Sequence, residues 1–211
     1  MDTILRTLSS RIERAWKDTG KEFSSLPHPR SILWTEAASL TYPFYGHLTT
    51  RLRNTRLPEQ LAIIPEYSPV APSRARCENT SCSCHDAGIR KKGVHIDLCL
   101  VKFGQKITYP EAGSKNMWCF KPKPIIAMEF KYSGPYDGNS FAKDIDSLST
   151  MERVYGAQLL YLCFATHDYG DIEKALLYIK DLVVNKRSLR DKLRLAVGSE
   201  AKESDWKVLK L

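Results

Sequence analysis

Long apolar runs are missing from this sequence of 211 residues. None approaches the roughly 18 consecutive apolar residues that a membrane-spanning helix requires, which excludes a membrane-spanning class. Residues 1–18 carry charge throughout and contain no continuous apolar stretch, so we expect no secretory signal and a cytoplasmic location. Internal repeats and low-complexity segments are also absent, which excludes a repeat architecture.

Cysteine is limited to six residues. In a chain without an export signal we expect these thiols to be reduced, so metal binding or simple burial is favoured over disulfide bonds. Cys99 and Cys163 lie within apolar segments that read as strands, and we expect both to be small buried hydrophobic residues.

Acidic residues are in deficit. The chain has 24 Asp and Glu against 32 Lys and Arg, a formal net charge of +8 and a pI near 9.2. Such a balance favours a polyanionic partner, although a solvated cationic surface explains any single basic cluster equally well. The clusters are RLRNTR (51–56), RAR (74–76), RKK (90–92) and NKRSLRDKLR (185–194).

Apolar periodicity predicts a mixed α/β domain built around one sheet. Predicted helices cover residues 3–16, 32–53 with Pro43 kinking or splitting the helix, 141–154, 171–184 and a short segment 188–196 that Gly198 could end. Predicted strands cover residues 59–70 with an interruption at Pro65, 94–103, 125–133 and 157–168.

We expect one domain over residues 1–211, with its core at about 31–184. An N-terminal helix (1–28) would precede this core, and a basic helical extension (185–211) would follow it. Residues 71–93 contain few apolar side chains and are expected to form a Cys/His-containing loop insertion.

The segment IIAMEFKYS (125–133) places an acid and a base in an otherwise apolar strand. Because side chains alternate across a strand, Glu129 and Lys131 share one face. Asp97 lies in another apolar strand, HIDLCLV (95–101), and the three side chains can converge if the two strands pair.

Two carboxylates in an apolar setting repel each other, which is costly unless a cation lies between them. Mg²⁺ suits such a site because it takes hard oxygen ligands and commonly binds through one or two carboxylates together with phosphate. A neighbouring lysine can stabilise charge on a phosphate, so Asp97, Glu129 and Lys131 have the chemistry of metal-assisted phosphodiester hydrolysis. A structural ion pair in a core strand is the competing interpretation.

An Asp, a spacer and then Glu-x-Lys in the next strand resembles the signature of the PD-(D/E)xK nucleases, the restriction-endonuclease-like superfamily. Here the motif reads HIDLCLV…IIAMEFKYS, with Ile96 in place of the proline, and FAKDIDSL (141–148) resembles the helix that often follows it. The resemblance covers roughly residues 31–184. It implies a restriction-endonuclease-like mixed central sheet flanked by helices.

The resemblance also implies roles for individual residues. Asp97, Glu129 and the main-chain carbonyl of Phe130 would bind Mg²⁺ or Mn²⁺, and Lys131 would be the catalytic lysine. Glu36 would be the additional acid that many members carry on the helix before the sheet. Glu66 is a weaker candidate for that acid, whereas Lys143, Asp144 and His95 are expected to be structural or surface residues.

A second possible metal site is CENTSCSCH (77–85). Its candidate ligands for Zn²⁺ are Cys77, Cys82, Cys84 and His85, since thiolate and imidazole suit tetrahedral zinc. The spacing differs from the C-x2-C pair of common zinc modules, so an unliganded loop is an equal alternative, and an iron–sulfur or redox role is a lesser one. Cys119 is too isolated for a role to be assigned.

We therefore expect an Mg²⁺-dependent endonuclease that acts on DNA, with RNA left open, in a process such as restriction or defence. A homodimer would supply two active sites for two strands. The alternatives are a non-catalytic nucleic-acid-binding or assembly subunit that keeps the nuclease fold, and a zinc-stabilised interaction protein.

Overall fold

The computed structural model describes residues 3–25, 40–53, 61–67, 94–103, 122–133, 138–166 and 169–211. Its helices are α1 (Thr3–Ser25), α2 (Tyr42–Arg53), α3 (Gly138–Arg153), α4 (Tyr169–Val183) and α5 (Arg187–Lys192). Its strands are β1 (Leu61–Tyr67), β2 (Ile96–Phe103), β3 (Pro122–Ser133), β4 (Leu159–Thr166), β5 (Leu193–Ser199) and β6 (Lys207–Lys210). None of the described helices has the length and apolar character needed to cross a membrane.

The six strands form one mixed sheet in which spatial order follows chain order. Strands β1, β2 and β3 form an antiparallel meander, β4 and β5 then run parallel to β3, and β6 returns antiparallel to β5. Helix α3 connects β3 to β4, and α4 with α5 connects β4 to β5, as parallel neighbours require. The predicted mixed α/β sheet flanked by helices is confirmed at this level.

Helices cover both faces of the sheet. One core layer lies under α1 and α2 and contains Leu98, Leu100, Met128 and Phe130. The other lies under α3 and α4 and contains Cys99, Val101, Ala127 and Ile145. Burial on both faces explains why the middle strands are apolar at successive positions instead of alternating, and every side chain of β4 is buried.

Helix α1 is fixed to the sheet by an apolar stripe and by one indole. Its buried positions include Leu5, Leu8, Ile12 and Trp16, spaced three to four residues apart as an amphipathic helix requires. The Trp16 Nε1–H donates to the carbonyl of Val197, 2.9 Å away, so the indole nitrogen is satisfied although the ring is fully buried.

The predicted helix over residues 188–196 is wrong in its second half. Helix α5 ends at Lys192, and the chain continues directly into β5, which pairs in parallel with β4. The apolar residues Leu189, Leu193 and Val197 are spaced four apart, which favours a helix locally. Pairing with a fully buried neighbouring strand overrides that preference.

The prediction of a helical extension over 185–211 is therefore also wrong, and a core ending at 184 is too short. Strands β5 and β6 complete the sheet. Gly198 does not end a helix but lies within β5 against the buried ring of Trp206.

Pro65 also behaves differently from its prediction. Strand β1 continues through Pro65, which pairs with Leu98 of β2. Because β1 pairs only with β2 in the described sheet, the missing N–H of Pro65 is tolerated at an edge. Residues 40–41 are π-helical and lead into α2 at Tyr42, and the kink or split at Pro43 stays a prediction. The earlier part of that predicted helix lies outside the described residues.

Candidate active site

The antiparallel register brings Asp97 opposite Glu129. Leu98 pairs with Met128 and Cys99 with Ala127, and the same register continued by one residue aligns the two acids. Both acids lie on the face that α3 covers, above Cys99 and Ala127. Asp97 and Glu129 therefore come together as expected from strand pairing, close enough for each carboxyl group to affect the charge of the other.

Asp97 also holds the two strands together at this point. Its Oδ2 accepts the backbone N–H of Phe130 at 2.7 Å, just beyond the last paired residues of the β2–β3 ladder. A side-chain oxygen thus satisfies a donor that the backbone of β2 leaves open. Phe130 is held by this N–H and by its buried ring. The role of its carbonyl as a metal ligand stays a prediction.

Glu129 is a buried acid with only 5% of its surface exposed. Burial, which is the largest cause, and the neighbouring carboxylates of Asp97 and Asp144 together raise the pKa of its carboxyl group to about 10. At neutral pH the site therefore favours a proton on Glu129, or a cation beside it, over a bare negative charge.

Lys131 lies two residues further along β3 and contacts α3. Its Nζ is 3.4 Å from Asp144 Oδ2, and the two side chains are only 21% and 12% exposed. Burial raises the pKa of the Asp144 carboxyl group, and the Lys131 ammonium opposes that shift. A fourth ionisable group therefore belongs to the site.

The expectation that Asp144 is a helix-surface charge is wrong. Asp144 follows Phe141 by three residues and precedes Leu148 by four, so it occupies the buried stripe of α3. That spacing is the sequence signal that could have revealed it. Lys143, one residue earlier, is exposed as expected.

Glu66 and His95 lie at the exposed edge of the same site. His95 Nε2 is 2.9 Å from Glu66 Oε2, and one ligand atom from each of Glu66, His95 and Asp97 lies within 4.8 Å of the others. Glu66 has a positive φ of 49°, a backbone conformation that a non-glycine residue rarely adopts. We assign no ion to this group, because exposed acidic groups often cluster without one.

Several predicted site residues lie outside the described residues. These are Glu36, the possible zinc ligands Cys77, Cys82, Cys84 and His85, and the isolated Cys119. Cys99 and Cys163 are described, and both are buried free thiols as predicted. Burial raises the pKa of each thiol, which keeps both protonated and unreactive.

The donor set fits a hard divalent cation. With all groups ionised, Asp97, Glu129 and Asp144 against Lys131 leave two negative charges in a mostly buried site, which one divalent ion would neutralise. Carboxylate oxygens are the ligands that Mg²⁺ and Mn²⁺ prefer. Comparison of the chain with protein-family models, with curated proteins and with solved structures gave no match.

Proposed function

We propose that this protein is a metal-dependent nuclease that hydrolyses phosphodiester bonds of DNA. The observation that carries the proposal is the alignment of Asp97 with Glu129 across β2 and β3, with Lys131 on the same face. Two acids that face each other in a buried layer are costly for folding, and a bound cation with a phosphate substrate gives them a function.

A restriction-endonuclease-like classification is part of the same proposal. It is supported by the order of elements, since the two strands that carry the acids are followed by α3 and then by β4 parallel to β3. This is the order that the resemblance to the PD-(D/E)xK nucleases implies. A homodimer with two such sites is the proposed arrangement for cutting both strands.

Asp97 and Glu129 would hold Mg²⁺ or Mn²⁺. When bound, the ion supplies Lewis-acid polarisation of a phosphoryl oxygen and makes a bound water more acidic. Lys131 places an ammonium on the same face of the sheet, against Asp144 of α3, from where it would stabilise negative charge that develops on the phosphate and orient the attacking water. The α3 layer excludes bulk solvent from Glu129, which strengthens each of these electrostatic interactions.

Cleavage of supercoiled and linear DNA by homogeneous protein tests the proposal. We expect cleavage with Mg²⁺ or Mn²⁺ and none with EDTA. Lys131→Ala should lower the rate by at least about 100-fold, because an aligned charge-stabilising group is removed, while DNA binding stays nearly unchanged.

Lys143→Ala is the matched control, because Lys143 is an exposed lysine near the same site. It should cut within a few-fold of the wild-type rate. Robust cleavage in EDTA would remove the metal mechanism, and a wild-type rate in Lys131→Ala would remove the lysine assignment. DNA binding without cleavage of any substrate would favour the non-catalytic subunit.

A further inference from the structure

Asp144 is the least explained ionisable residue of the site. Only 9% of its surface is exposed, and its Oδ2 has no hydrogen-bond partner among the described residues. That oxygen lies 3.4 Å from Lys131 Nζ, which is an ion-pair distance. An acid held in this way loses most of its hydration, so its position on the buried face of α3 needs a compensating interaction.

The charges around Asp144 identify that interaction. Asp97 and Glu129 repel it, and its own negative charge adds to the pKa rise of Glu129. The cations that favour its ionised form are Lys131, which is largely buried beside it, and Lys143, which is exposed. Asp144 is therefore repelled by the two strand acids, Asp97 and Glu129, and attracted to the strand lysine, Lys131.

We infer that Asp144 is a positioning residue that holds the Lys131 ammonium on the α3 side of the site and away from Asp97 and Glu129. The inference rests on the proposed function. A lysine has a flexible four-carbon stem, and loss of the Asp144 carboxylate would leave the two strand acids as stronger competitors for its ammonium. Beside those acids the ammonium would compete with the divalent cation and leave the place from which it contacts phosphate.

A double-mutant cycle in EDTA tests the contact without any activity. Thermal unfolding is measured for wild type, Asp144→Asn, Lys131→Ala and the double variant. We expect the shift of the double variant to differ from the sum of the single shifts by about 2 °C or more, as for contacting charged residues in a chain of this size. Additive shifts would overturn the inference.

Single-turnover cleavage with Mn²⁺ separates positioning from a merely structural contact. We expect Asp144→Asn to lower the cleavage rate about 100-fold with DNA affinity unchanged, since misplacing a reacting group by about 1 Å has an effect of that order. In the Lys131→Ala background the same substitution should cause no further loss, because the residue acts only through the lysine. A further loss of similar size would overturn the inference.

Asp146→Asn is the matched control, since Asp146 is on the same helix and its side chain is 75% exposed. It should behave as wild type in both experiments. If Asp144→Asn fails to fold, Asp144→Glu replaces it and should retain part of the rate, whereas a rate as low as that of Lys131→Ala would overturn the inference. A wild type that cuts nothing contradicts the proposed function and the positioning role together. An active wild type with additive variants contradicts the positioning role alone.

Discussion

Asp97 has two roles, one in strand pairing and one as a charged group of the site, and a suitable substitution can separate them. Its Oδ2 accepts the Phe130 N–H, which fixes the end of the β2–β3 pairing, and its carboxylate also faces Glu129. Asparagine retains an oxygen acceptor for that N–H but loses the charge, whereas alanine loses both. Asp97→Asn is therefore the variant that tests charge, and Asp97→Ala mixes charge with strand pairing.

Glutamine in place of Glu129 should stabilise the metal-free protein. Glu129 has a raised pKa because it is buried beside two other carboxylates. Folding at pH 7 must therefore protonate a carboxyl group that is ionised in the unfolded chain, which lowers stability. Glutamine has a similar shape and needs no proton. In EDTA at pH 7 we expect Glu129→Gln to unfold at a higher temperature than wild type.

Added Mn²⁺ should then distinguish the two proteins. At about 100 times the dissociation constant, a ligand adds about 2.7 kcal/mol, or roughly 5–10 °C for a chain of this size, to wild type and little to the variant. Differential scanning fluorimetry makes the measurement, with exposed Glu13→Gln as the control. An equal Mn²⁺ shift in Glu129→Gln would contradict the assignment of this ligand.

Residue patterns revealed the strand acids but not the helix acid. Asp97 and Glu129 stand out because each interrupts an apolar strand, where a charge has no ordinary reason to be. Asp144 is surrounded by Lys143 and Asp146 in the sequence, so it reads as one charge of a solvated helix face. Only the contact of α3 with β3 separates it from those neighbours.

At the scale of elements, β5 and its Trp206 contact decide how the sheet is closed. The Trp206 ring packs 4.8 Å from the Trp16 ring between centroids, and its Nε1–H donates to the Ser199 carbonyl at 2.9 Å. A Cβ added at Gly198 would lie 2.5 Å from Trp206 Cδ2, so glycine is required there for close packing.

Gly198→Ala should therefore destabilise the fold. Overpacking a buried contact of this kind costs about 1–3 kcal/mol, which chemical denaturation with two probes would measure. The matched control is Gly46→Ala on the exposed face of α2, where an added Cβ meets nothing within 4 Å. That variant should be stabilised by about 0.5–1 kcal/mol through helix propensity. A harmless Gly198→Ala would mean that Trp206 does not pack against β5.

The elements differ in how far sequence determines them. Strands β2, β3 and β4 are predictable because their apolar runs are too short and too rich in branched and aromatic residues for helices. Strand β5 is not, since LRLAVGS (193–199) follows a basic helical turn without a break. Residues 193–199 form a strand because they pair with the edge of β4, and the local sequence does not show that this edge is available.

At the scale of the whole molecule, the parallel strands give the sheet two unlike ends. Lys131 is level with Phe164 and Val197 near the ends of β3, β4 and β5. Helix α5 lies at the other end, where Leu193 is level with Leu160, four residues or about 13 Å of strand earlier. The basic cluster 185–194 thus lies toward the end of the sheet opposite Lys131, and its Lys186 and Lys192 pair with Asp146 and Glu152 of α3.

DNA bound at the candidate site should therefore contact the end of the sheet that carries Lys131, opposite α5. Lys202 is exposed and follows Glu200, which accepts a hydrogen bond from the hydroxyl of Tyr132, the residue after Lys131 at this end of β3. We expect Lys202→Ala to reduce the slope of log affinity against log salt by about 1, the effect of one lost phosphate contact. Arg190→Ala on α5 should leave the slope unchanged, and fluorescence anisotropy over a salt series compares the two. The opposite ranking would place DNA on the α5 end.

Fold class was accessible from the sequence because alternating helical and strand patterns allow few arrangements. The extent of the sheet was not, since it depends on contacts between distant parts of the chain. Residues 71–93, with the possible zinc ligands, lie outside the described residues, and zinc there stays a prediction.

The Trp16–Val197 hydrogen bond joins positions 181 residues apart. During synthesis, α1 leaves the ribosome long before β5 and Trp206 exist, so its apolar stripe has no complete surface to cover for most of translation. Contacts between residues so far apart in the sequence form late, and they lower the folding rate. Chaperone dependence and sensitivity to premature termination are the expected biological consequences of a sheet closed by its last strands.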